Sequence, residues 1–121
     1  MNSTVTLIGN LTRDPEVRVT NGNSLTRIGV AVDRRFAVNG GFETRVSYFS
    51  VVMWGTLAEN VATSLHRGDR VIVNGRLEQS TWKADDQTRS AIEVVADEVG
   101  PSLRWATAES LSKSRPELVA A

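Results

Sequence analysis

The sequence predicts an all-β fold, a five-stranded Greek-key barrel with one helix between strands three and four. Apolar residues alternate with period two in five segments, and only the segment after the third carries a helical stripe. Turn-forming Asn, Gly and Asp residues punctuate the segments. A chain of 121 residues suits one domain with a single core. The barrel is expected over residues 1–100, with residues 101–121 forming a C-terminal extension.

The first strand, Thr4 to Gly9, sets Val5, Leu7 and Gly9 against Thr4, Thr6 and Ile8, and ends at the turn-prone stretch Asn10 to Pro15. A short extended piece, Glu16 to Val19, leads into Asn21, Gly22 and Asn23, residues that tolerate positive φ. The second strand, Leu25 to Val32, puts Ile28, Val30 and Val32 on one face and Arg27, Gly29 and Ala31 on the other. The small residues there either leave room for a ligand or admit close packing. A loop with Asn39, Gly40 and Gly41 connects to the third strand, Val46 to Trp54. Parity sorts its side chains: Phe49, Val51 and Met53 make a core stripe, while Val46, Tyr48, Ser50, Val52 and Trp54 face the other way. For this strand alone, a sandwich that buries both faces is the alternative.

Thr56 and Glu59 match a capping box, Leu57, Val61 and Leu65 make the apolar stripe of the one helix, and Gly68 ends it. His66 falls in the last turn, where a polar or cationic group suits the helix dipole. The fourth strand alternates Val71, Val73, Gly75 and Leu77 with Arg70, Ile72, Asn74 and Arg76. The fifth, from about Arg89, carries Ile92, Val94 and Ala96, and Asp85 and Asp86 form the tip of the hairpin between the two. Three strands, a helix and two strands is the order of an OB-fold, whose strand-two and strand-three face commonly binds oligonucleotides or oligosaccharides.

Four aromatic residues fall where folding gains little from them: Phe36, Tyr48, Trp54 and Trp82, beside Arg34, Arg35, Arg45 and Lys83. Flat rings next to cations make a stacking surface for nucleotide bases. Arg76 and Arg89 add cations on the fourth strand and around the hairpin, with Arg13 and Arg18 near the first turn; a solvated surface role is the alternative for each. Net charge is zero, 14 Lys and Arg against 14 Asp and Glu, so distribution rather than bulk charge carries the case for a polyanionic partner. Twelve of the cations are Arg, which pairs with phosphate and also stacks on a base, although a GC-rich genome would produce the same bias.

Cysteine is absent, which excludes disulfides and thiolate metal sites and fits a reducing compartment. No long apolar run or signal pattern stands out, so a soluble cytoplasmic protein with no membrane association is expected. His66 has no second histidine to pair with, and the Ser and Thr hydroxyls lack a positioned base. No phosphate-cradling glycine loop and no metal-ligand set appears, so neither enzyme nor cofactor chemistry is expected. The competing classes are a hydrolase or nuclease, and an OB-fold protein-interaction module that turns its aromatic face to a peptide.

Leu7-Ile8-Gly9-Asn10-Leu11, Asp14-Pro15-Glu16-Val17-Arg18, the run from Tyr48 to Glu59, Arg67-Gly68-Asp69 and Val73-Asn74-Gly75-Arg76-Leu77 occur in an order and spacing that resembles the bacterial single-stranded-DNA-binding proteins. The resemblance spans about residues 1 to 100 and implies sequence-tolerant binding of single-stranded DNA in replication, recombination, repair or chromosome handling. It implies bases stacked on Phe36, Tyr48, Trp54 and Trp82, the residues that parity and composition select. Phe36 and Tyr48 stand where the family often has tryptophan, so a smaller stacking area is expected there. The family also implies a homotetramer, with first strands pairing across a dimer interface.

Val99-Gly100-Pro101-Ser102-Leu103-Arg104-Trp105-Ala106 resembles the segment after the barrel in actinobacterial members, where an added strand clamps subunits. Trp105 is accordingly expected at an interface, followed by a flexible tail. The last residues, Pro116 to Ala121, hold no acidic run. Recruitment of replication proteins through an acidic tip is therefore expected to be reduced or absent, as in a shorter paralogue.

Overall fold

Residues 3–108 are described by a computed structural model of the chain. Six strands and one helix follow in order: β1 (Thr4–Leu11), β2 (Glu16–Thr20), β3 (Asn23–Val38), β4 (Gly41–Trp54), α1 (Gly55–Ser64), β5 (Arg70–Ala84) and β6 (Gln87–Pro101). The sheet order is β1-β5-β6-β4-β3-β2, and β1 also pairs with β3 at Asn10–Ala31 and Leu11–Val30. That contact brings the sheet back onto itself. Five strands, β1, β5, β6, β4 and β3, close into a barrel, and β2 lies outside the ring along β3. Neighbours run antiparallel except β4 and β6, parallel at Val51–Val94 and Val52–Val95.

Several boundaries differ from the sequence reading. The extended piece after Pro15 is a true strand, β2, yet every residue of it is exposed. It therefore carries no burial pattern by which to recognise it. β3 and β4 are far longer than expected, and the connecting loop is a tight turn at Asn39 and Gly40, the latter at φ 84°. Asp85 and Asp86 make the β5–β6 turn at φ 52° and 65°, the twisted hairpin geometry that suits strand pairs.

The barrel interior is filled by Ile28, Val30, Val51, Met53, Val71, Val73 and Val94, all essentially inaccessible to solvent. α1 adds Ala58 and Val61 to this core, and Leu65 follows just beyond its end. Thr26, buried on β3, donates its hydroxyl to the Ala58 carbonyl at 2.8 Å and fastens the helix to the barrel. The expected capping box is not formed: no side chain caps α1, and Ser24 donates to the Glu59 carboxylate at 3.0 Å instead. The chain enters α1 through Gly55 at φ 71°, a left-handed turn that costs glycine little. α1 ends at Ser64, before Gly68, so His66 lies outside the helix, its backbone N–H donating to Asp69 Oδ2 at 2.8 Å.

A Cβ on Gly29 would strike the Thr12 hydroxyl, so the small residue there admits close packing. After β6, Ser102 donates its N–H to the Arg70 carbonyl at 2.8 Å, and the Arg70 guanidinium stands 4.4 Å from the Trp105 ring centre. The tail expected at the end of the chain falls largely at residues 109–121, outside the described residues. No helix among the described residues is long and apolar enough to cross a membrane.

Candidate nucleic-acid interface

Beyond the barrel body, β3–β4 and β5–β6 continue as two-stranded ribbons whose faces are fixed by register. On β4 the alternation carries through: Val51 and Met53 are buried, whereas Tyr48 is 73% and Trp54 51% exposed. Tyr48 lies opposite Ala31 and Trp54 opposite Leu25, so the outer face of this ribbon also bears Arg27, Gly29, Ser50 and Arg35. Val52 shares that parity but is buried, which makes it the floor between Tyr48 and Trp54.

Trp82 is 47% exposed and directly opposite Arg89 on the β5–β6 ribbon, two pairs beyond Ser80–Ala91 and four beyond Glu78–Glu93. Glu93 joins the two ribbons. Its Oε2 accepts from Arg27 Nε at 3.1 Å and from the Ser50 hydroxyl at 3.1 Å, and Arg27 NH2 lies 3.0 Å away. Leu25, Arg27, Val52 and Trp54 from one ribbon and Glu78, Ser80 and Glu93 from the other line a shared groove. Tyr48, Trp54, Trp82 and Arg89 thus belong to one continuous outer surface.

Phe36 does not. It pairs with Glu43, and Arg34 pairs with Arg45, on the side of the β3–β4 ribbon that is continuous with Ile28, Val30 and Phe49. Phe36 is bracketed by the two guanidinium groups, 5.9 Å and 5.1 Å from its ring centre. Like charges directly opposite on a ladder repel. Neither Arg34 nor Arg45 makes an ion pair among the described residues, so this cluster offers unneutralised charge around a ring. Phe36 and Tyr48 therefore lie on opposite sides of the ribbon.

The remaining cations differ in availability. Arg76 is held by two carboxylates, Glu78 at 2.9 Å and Asp97 at 3.3 Å, so its charge is already paired. Lys83 pairs with Thr88 on the face of β5–β6 opposite to Trp82. Two further residues share the outer face of the β3–β4 ribbon and were not among the sequence candidates. Arg27 carried a signal, its place among small residues on the second strand. Phe42 lay inside an expected loop and carried none; it is 66% exposed with the Arg35 guanidinium 4.5 Å from its ring centre.

Known proteins resemble this chain in sequence and in fold. Residues 1–102 match the model of the single-strand binding protein family. The chain is 42% identical over 118 residues to the single-stranded DNA-binding protein of Mycolicibacterium smegmatis, covering 93% of this chain and 72% of that one. The Mycobacterium leprae protein of the same name is also 42% identical over 118 residues, covering 93% and 70%. Among solved structures, the small single-stranded DNA-binding protein from Streptomyces coelicolor superposes with a TM-score of 0.71 at 27% identity, covering 85% of this chain and 96% of that one.

Proposed function

The chain belongs to the single-strand binding protein family, and from that premise we propose that it binds single-stranded DNA without sequence preference. The observation that carries the proposal is the continuous outer surface on which Tyr48, Trp54 and Trp82 stand exposed, joined across the ribbons by Glu93. Every base has a π-face, so stacking on these rings is sequence-tolerant, and each such contact is worth about 1–3 kcal/mol. A duplex keeps its bases stacked on one another and withholds those faces. Discrimination between single strand and duplex follows from the chemistry of the surface.

Arg34, Arg35, Arg45 and Arg89 supply charge for the backbone, with Arg76 and Lys83 as further contacts, and Phe36 takes a base on the reverse of the ribbon. No bond is made or broken. Protection of exposed single strands during replication, recombination, repair or chromosome handling in the cytoplasm is the service such binding performs.

A homotetramer is part of this reading. β1 pairs with β5 from Thr4 to Asn10 on one edge, but with β3 only at Asn10 and Leu11 on the other. The edge from Thr4 to Ile8 is therefore open to a second copy, and pairing removes an unprotected edge. In this reading the segment from Ser102 contacts a neighbouring subunit, which the exposure of Leu103 and Trp105 supports. Mobility-shift competition between oligo-dT and duplex of equal length, with sedimentation to give the oligomer, tests both halves. Equal affinity for the two DNAs sinks the binding proposal, and a concentration-independent monomer sinks the assembly.

A further inference from the structure

We infer that Phe42, held beneath Arg35, is a third base-stacking platform on the outer face of β4, in line with Tyr48 and Trp54. This rests on the single-strand reading and adds a residue to it. β4 runs from Gly41 to Trp54, and its ladder with β3 is unbroken from Leu25–Trp54 to Val38–Gly41. Parity therefore carries all the way along, and Phe42, Tyr48 and Trp54, spaced by six residues, occupy one face. At about 3.3 Å per residue the platforms are roughly 20 Å apart. The spacing is regular, and each ring is at least half exposed.

Folding gains little from Phe42, which lies outside the core cluster near the end of a solvated ribbon. Among the described residues its ring meets the cation of Arg35, diagonal to it on the same face, with the guanidinium carbon 4.5 Å from the ring centre. That contact favours one orientation of the ring before any ligand arrives. A cation over an aromatic face contributes on the order of 0.5–1 kcal/mol at exposed sites, and the ordered ring costs a stacking base less conformational entropy. Arg35 makes no ion pair among the described residues, so its charge remains available to the phosphate beside a base stacked on Phe42. Single-stranded DNA lying along β4 thus continues past Tyr48 towards the turn at Gly40.

The test uses the full chain and a long oligo-dT containing bromodeoxyuridine, irradiated and mapped by mass spectrometry. Crosslinks are expected at Phe42 as well as at Tyr48 or Trp54. In parallel, Phe42→Ala and Phe42→Leu should each lower oligo-dT affinity about fivefold or more, and Phe42→Tyr should retain it, since stacking needs a ring. Melting curves for the three variants should coincide with the parent, because the residue lies outside the core. Crosslinks at Tyr48 and Trp54 with none at Phe42, or unchanged affinity in Phe42→Ala, overturn this inference and leave the single-strand reading intact. If Phe42→Leu binds as tightly as the parent, general apolar contact replaces stacking and the inference also fails. Absence of crosslinks together with absence of oligo-dT binding by the parent chain refutes the single-strand reading itself.

Discussion

Glu93 and Arg27 meet through a single carboxylate oxygen, 3.1 Å from Nε and 3.0 Å from NH2, at the junction of the two ribbons that carry the exposed rings. Both side chains are partly buried, 23% and 32% exposed. This pair, with Ser50, fixes the relative position of β3, β4 and β6, but it also sets a negative charge in the middle of the surface proposed to take a polyanion. Stability and binding therefore pull in opposite directions at this point.

Replacing Glu93 with Gln is expected to lower the melting temperature by several degrees, equivalent to about 1 kcal/mol for a half-buried ion pair. The same variant should bind oligo-dT more tightly, because Arg27 is freed and one repulsive charge is gone. Thermal melts and affinity measurements at fixed salt check both signs. A variant that is less stable and also binds more weakly would show that Glu93 serves only to hold the surface together.

Met53 and Trp54 are neighbours in the chain and opposites in role, one inside the barrel and one outside it. Met53→Ala should cost about 2–5 kcal/mol of stability while the folded fraction binds oligo-dT normally. Trp54→Ala should do the reverse, weakening binding by the equivalent of about 1–3 kcal/mol with the fold intact. Urea denaturation and fluorescence titration on both variants separate the effects. Loss of binding in Met53→Ala at full folding, or none in Trp54→Ala, would place the surface elsewhere.

Arg34 and Arg35 point to opposite faces of one ribbon, each beside a ring. If both meet phosphate, the double change to Ala should reduce the log-log salt slope of binding by about 0.7 per contact. A decrease of about half the total would assign phosphate contact to only one face of the ribbon, and single variants would identify which. An unchanged slope would remove both.

These three cases also show what the sequence discloses. Period-two alternation in β4 sorts Met53 from Trp54 because burial on one face imposes a pattern that composition preserves. β2 leaves no such trace, since all of its residues are exposed and its place depends on pairing with β3. The side of the ribbon to which Phe36 belongs is likewise set by ladder register far from the core, where Asn39, Gly40 and Gly41 read as an open loop and conceal the continuation of both strands. The capping box failed for a local reason: Gly55 turns the chain before Thr56, which places that residue inside the helix, and Glu59 is drawn off by Ser24. Ion-pair partners such as Glu93 for Arg27, 66 residues apart, arise only from the closed barrel.

Exposed tryptophans on this surface are expected to stack on the bases of single-stranded DNA, and intrinsic tryptophan fluorescence measures that contact directly. Titration with oligo-dT should quench the emission strongly, duplex of the same length should leave it nearly unchanged, and the oligo-dT response should weaken as salt rises. Equal responses to both DNAs, or no quenching alongside no binding in a mobility shift, would rule out base stacking on these tryptophans.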